Sequence, residues 1–142
     1  MDLNELMRNI RGIDVVKEIE SAITQVKSEY NDLTTEQTCK IYSGLLYEKL
    51  NERHVPVRVV NTLGLTYEHM FLLVNSGDIK YYLIDLTYSQ FKNDYFKELL
   101  TKGYQEITNE NINKYLEIVS KDKTNMTLDE LYYGSDKKGK SI

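Results

Sequence analysis

Apolar positions in the first third of the chain recur at helical spacing. Val15, Val16, Ile19, Ile23 and Val26 are spread through Ile13 to Tyr30 with charged residues between them, which predicts an amphipathic helix that packs on one side. Asn31 to Leu33 interrupts it. Thr34-x-x-Gln37 then has the form of a capping box and predicts a second helix running to about Arg53. Cys39, Tyr42, Leu46 and Leu50 share one face of that helix, and Ile41 and Leu45 widen it. Cys39 is thus expected in the first two turns, facing inward.

After Pro56 the pattern changes. VPVRVVNTL is rich in β-branched residues and predicts a strand, and YEHMFLLVN and IKYYLIDLTY, separated by Ser76, Gly77 and Asp78, predict a β-hairpin. Two polar residues interrupt this hairpin, His69 in the first run and Asp85 in the second. Directly opposed residues in a hairpin share a constant index sum. If Asn75 faces Ile79 that sum is 154, which sets His69 directly opposite Asp85 on one face of the sheet. Tyr67, Phe71, Leu73, Tyr81, Leu83 and Thr87 would share this face, and it is expected to pack on the cysteine helix. Three helical segments follow, Phe91 to Lys102, Asn109 to Lys121 and Leu128 to Tyr133. The polar, basic tail at 135–142 is read as disordered, and residues 1–134 as a single domain. The fold class expected is α+β: N-terminal helices, with the cysteine helix packed on a small antiparallel sheet, then C-terminal helices.

Composition narrows the function. At 142 residues, 41% hydrophobic and 28% charged, the chain can bury a substantial core, and it has no apolar run near the ~20 residues of a membrane helix. A net charge of −4 provides no basic field for a nucleic-acid backbone, so neither nucleic acid nor membrane is an expected partner. The N-terminus has neither a basic n-region nor an apolar h-region, and the single cysteine forms no internal disulfide. A cytoplasmic location is therefore the default expectation. With neither metal-ligand clusters nor a Gly-rich phosphate loop, no cofactor is implied.

Each polar interruption has an ordinary reading as well as a chemical one. Free cysteine is usually a small buried hydrophobe, and a strand histidine is usually a satisfied core or edge residue. An aspartate within YYLIDLTY is harder to accommodate, because a buried carboxylate needs a partner. An imidazole opposite it would satisfy both groups. Near a helix N-terminus the unpaired amides favour a thiolate at Cys39. Together Cys39, His69 and Asp85 supply a nucleophile, a base and a group that orients the base. Gln37 is a candidate second oxyanion donor beside the Cys39 backbone N–H, although its capping role explains it equally well. His54 is expected at the surface.

The span from Thr38 to Phe91 resembles the core of the transglutaminase-like branch of the papain-like cysteine enzymes. There a helix cysteine precedes an Ile-Pro-x-Arg-Val-Val type strand, a histidine strand and a strand ending in Asp-x-Thr. The counterparts are Cys39, Val55-Pro56-Val57-Arg58-Val59-Val60, His69 and Asp85-Leu86-Thr87. Arylamine acetyltransferases and bacterial glutamine deamidases share this core. The resemblance implies thiol-dependent acyl transfer on peptide or protein amides. Thr38 and Lys40 stand where the family often has glycine and an aromatic residue, and the chain has no tryptophan, which the cross-linking members use near the oxyanion. A peptidase or deamidase is accordingly expected ahead of a cross-linking enzyme. The alternative is a catalytically silent member that binds a protein partner through a surface rich in the chain's 12 tyrosines.

Overall fold

The computed structural model describes residues 14–30, 38–77 and 80–140. Helix α1 spans Val15–Glu29, where the Asp14 side chain accepts from the Lys17 N–H and caps the start, and its apolar stripe of Val15, Ile19, Ala22, Ile23 and Val26 is buried. Helix α2, Thr38–Glu52, carries Cys39 as its second residue. Arg53 at the end of α2 holds Glu18 and Gln25 of α1 at 3.0 and 3.1 Å, and the Tyr42 hydroxyl donates to the Tyr30 carbonyl. These contacts fix the two helices as a pair. Ile41 does not join the buried stripe and is 44% exposed. His54 is partly buried at φ 60°, a left-handed residue just past the end of α2. The Thr34 to Gln37 capping box lies outside the described residues.

Four strands follow: β1 (Val57–Asn61), β2 (Met70–Asn75), β3 (Tyr81–Ile84) and β4 (Tyr104–Ile107), forming one antiparallel sheet in chain order. A 3-10 turn at Tyr88–Phe91 and a short α3 at Lys97–Thr101 separate β3 from β4, where one long helix was expected. Strand β4 was not anticipated. Helix α4 (Asn109–Ser120) starts at a Thr108 cap, and α5 (Leu128–Lys140) is broken at Gly134, whose φ is 71°. No helix among the described residues is long and apolar enough to cross a membrane.

The class is α+β with helices on both sheet faces, and this corrects two expectations. The hairpin register pairs Leu72 with Ile84 and Asn75 with Tyr81, an index sum of 156 in place of 154. The loop between Asn75 and Tyr81 is two residues longer than expected, so His69 and Asp85 are diagonal neighbours and not directly opposed. Because the slip is even, both keep the same face. That face, with Phe71, Leu73, Tyr81 and Leu83, packs against α4 and the start of α5. The cysteine helix lies on the other face, with Leu46 and Leu50 against Leu72, Val74 and Ile84. Both faces of β2 are therefore buried, which is why it reads as the continuous apolar run MFLLVN.

Candidate functional site

His69 immediately precedes β2 and Asp85 immediately follows β3, so both leave the ladder at the same end of the sheet. Their side chains meet there. His69 Nε2 and Asp85 Oδ2 are 2.8 Å apart, with the residues 2% and 3% exposed, so the pair is removed from solvent. Asp85 is held from three directions. Its Oδ1 accepts from the Thr87 N–H at 3.0 Å and the Thr87 hydroxyl at 3.1 Å, which gives the Asp-Leu-Thr sequence a structural purpose. Its Oδ2 also accepts from the Tyr115 hydroxyl at 2.7 Å. The Asp85 N–H donates to the Gly103 carbonyl at 2.9 Å, extending the β3–β4 pairing by one residue.

The histidine is fixed as firmly. Thr62 N–H donates to the His69 carbonyl at 2.9 Å, and Thr62 Oγ1 accepts the His69 N–H and donates to the Tyr67 carbonyl, both at 2.7 Å. Phe91 meets the imidazole edge to face, with centroids 4.8 Å apart. With Nε2 committed to Asp85, Nδ1 is the nitrogen left for chemistry.

Two tethers bring the N-terminus of α2 to this end of the sheet. Lys40, next to Cys39, is 3.0 Å from Glu68, next to His69, and the Ser43 hydroxyl, one turn beyond Cys39, donates to the Met70 carbonyl at 3.3 Å. The Lys40 ammonium holds the Glu68 carboxyl below the usual carboxylate range. Cys39 is free, buried and outside both apolar cores. Its thiol lies near enough to Tyr115 to add to that hydroxyl's upward shift. No hydrogen bond joins the thiol to the His69 ring among the described residues.

Burial first, and the Asp85 carboxylate second, hold the Tyr115 phenol proton well above pH 10. The neighbouring Tyr88 phenol is pushed up to about 12, mainly by burial, and the Phe96 backbone N–H opposes the shift without forming an aligned hydrogen bond to the Tyr88 oxygen. Tyr115 and Thr62 escaped the sequence reading. Tyr115 occupies an apolar helical position alongside Ile112, Leu116 and Val119, so its spacing signals only core; the clue was the need of a buried Asp85 for more than one donor. Gln37 lies outside the described residues. Searches of protein-family models, curated proteins and solved structures find no significant match to this chain.

Proposed function

We propose that the protein is a thiol-dependent acyl-transfer enzyme with a transglutaminase-like, papain-like core, acting on peptide or protein amides. The observation that carries this reading is the buried 2.8 Å pair of His69 and Asp85 at the end of the sheet to which Lys40 and Ser43 tie the Cys39 helix. A carboxylate that fixes the Nε2–H tautomer leaves Nδ1 to act as a base. In the first step Cys39 Sγ bonds to the substrate carbonyl carbon and its proton passes to His69 Nδ1. Collapse of the tetrahedral intermediate breaks the C–N bond, and the same proton goes to the leaving amine. Water then adds to the thioester, gives its proton to Nδ1 and releases the thiol. Attack on a backbone amide gives proteolysis, and attack on a glutamine side chain gives deamidation with release of ammonia. Either is favoured over cross-linking, since the chain has no tryptophan to shape that reaction's oxyanion site.

The missing thiol–imidazole hydrogen bond favours a second reading, a silent fold that only binds a protein partner. Catalytic hydrogen bonds are often long before substrate arrives, so the geometry is compatible with the enzyme. Iodoacetamide separates the two readings. An activated Cys39 alkylates near neutral pH far faster than a buried structural thiol, and His69→Ala slows the reaction. A Cys39 that stays inert in the native protein, or a rate indifferent to His69→Ala, overturns the enzyme reading.

A further inference from the structure

Strand β1 is an edge of the sheet, and its backbone alternates in what it offers. Asn75 N–H donates to the Pro56 carbonyl and Thr62 N–H to the His69 carbonyl, both in the narrow pairs of the β1–β2 ladder. By the antiparallel alternation Arg58 and Val60 also turn their backbone groups toward β2, while Val57, Val59 and Asn61 turn theirs outward. The outward groups have no partner among the described residues. Beside this edge runs a groove of about 430 Å³, floored by Val60 and Thr62, walled by Leu116, Met126 and Leu131, and bordered by the charged Arg58 and Glu130. Thr62, in the groove floor, is also the residue that holds the His69 backbone, so the groove and the candidate site share that residue.

We propose that the open edge of β1 is the substrate-binding track: an extended peptide segment adds as a fifth strand on the outward groups of Val59 and Asn61. Alternate side chains of such a strand fall on one sheet face. Here that face is the groove, apolar at Val60, Leu116, Met126 and Leu131 and charged at Arg58 and Glu130, so the recognised segment carries apolar residues at the alternate positions that lie over Val60 and Thr62. The peptide backbone supplies affinity and the groove supplies selectivity, the division usual for strand addition. The assignment of the bound peptide as substrate rests on the acyl-transfer reading, whereas the docking geometry does not.

The test uses the intact protein and an acetylated, amidated random nonapeptide library with a central glutamine. Cleaved and deamidated products are sequenced with wild type, Cys39→Ala and Val59→Pro. Proline removes the outward N–H at an edge position where proline is tolerated, and it also replaces the Val59 side chain, which packs partly buried on the α1–α2 core. Cys39-dependent products with apolar residues at alternate positions, reduced about tenfold by Val59→Pro, are expected, that loss being worth one backbone hydrogen bond. Should Val59→Pro fail to fold, N-methylation of the best peptide at alternate amides gives the same comparison: one set abolishes turnover and the other leaves it. Cys39-dependent turnover that ignores both changes overturns the proposal. If no Cys39-dependent product forms, the enzyme reading fails, and amide hydrogen exchange decides the docking separately. Slower exchange at Val59 and Asn61 with millimolar library supports the track, and unchanged exchange there overturns it.

Discussion

Asp85→Asn isolates the orienting role of the carboxylate because it preserves shape while changing one acceptor into a donor. Asp85 accepts four hydrogen bonds, two at each oxygen, from His69, Tyr115 and twice from Thr87. The amide can satisfy only one of those sides. With its NH2 toward Thr87 it faces the buried Thr87 N–H, donor against donor, so the NH2 must take the Oδ2 position. There it leaves the Tyr115 hydroxyl proton without an acceptor, at a cost of ~1–3 kcal/mol for one orphaned buried donor. It also makes His69 Nε2 an acceptor and moves the ring proton to Nδ1, the nitrogen that must be empty to receive the Cys39 proton. In a triad of this kind the wrong tautomer costs on the order of 10⁴-fold in turnover. Urea denaturation should show a midpoint lowered by ~1 M for a typical m-value of ~1–3 kcal/mol per M. Nitrogen NMR of the His69 ring should report the tautomer change, and Cys39 alkylation between pH 6 and 8 should slow accordingly. A stability loss of the expected size with wild-type alkylation and an unchanged tautomer would refute the orienting role and leave Asp85 a purely structural carboxylate.

Tyr115→Phe removes one donor from Asp85 Oδ2 and should cost ~1–2 kcal/mol in urea denaturation. The same variant tests the alkaline limb. A phenol proton held more tightly in the folded state stabilises below pH ~10, and that contribution is lost as pH rises from there towards the folded value. The wild type should therefore lose up to ~1.4 kcal/mol per pH unit at Tyr115, a slope that Tyr115→Phe abolishes. Thr62→Val keeps the shape but orphans the buried His69 N–H, for ~1–3 kcal/mol, and should slow Cys39 alkylation by loosening the imidazole; an unchanged melt would show that another acceptor takes over. Gly103→Ala meets both a φ of +85° and a clash of the added carbon with a Leu86 methyl. A loss of ~1–3 kcal/mol is expected by thermal melt, together with a disturbed Asp85, whose N–H the Gly103 carbonyl accepts.

The residues most legible in the sequence were the ones that broke a pattern. His69 and Asp85 stand out because each interrupts an apolar run, at the very end of a buried strand, and they are the residues the fold joins. Their register was misjudged by two positions, since loop length sets register and turn residues alone do not fix loop length. The same-face placement survived because side-chain alternation depends only on parity. Which helix covers which face was not legible: MFLLVN is apolar on both sides and so accepts a helix on either. Strand β4 has only four residues, Tyr104–Ile107, too few for alternation to stand out between two helical segments. Tyr115 was hidden for the opposite reason to Asp85, since its ring conforms to the core pattern and only its hydroxyl departs from it.

The helix carrying Cys39 and the helix carrying Tyr115 lie in different cores, on opposite faces of one sheet, and the His69–Asp85 pair sits on the α4 face at the sheet end to which Lys40 and Ser43 tie the Cys39 helix. The candidate site is therefore a seam and not the property of either layer. Native proteins open in cooperative parts at free energies below that of global unfolding. Partial undocking of α1 and α2 would carry the thiol away while leaving the imidazole and carboxylate paired beneath α4. Thiol reactivity should therefore fade before the sheet does on heating, so that Cys39 reports the docking of the two layers.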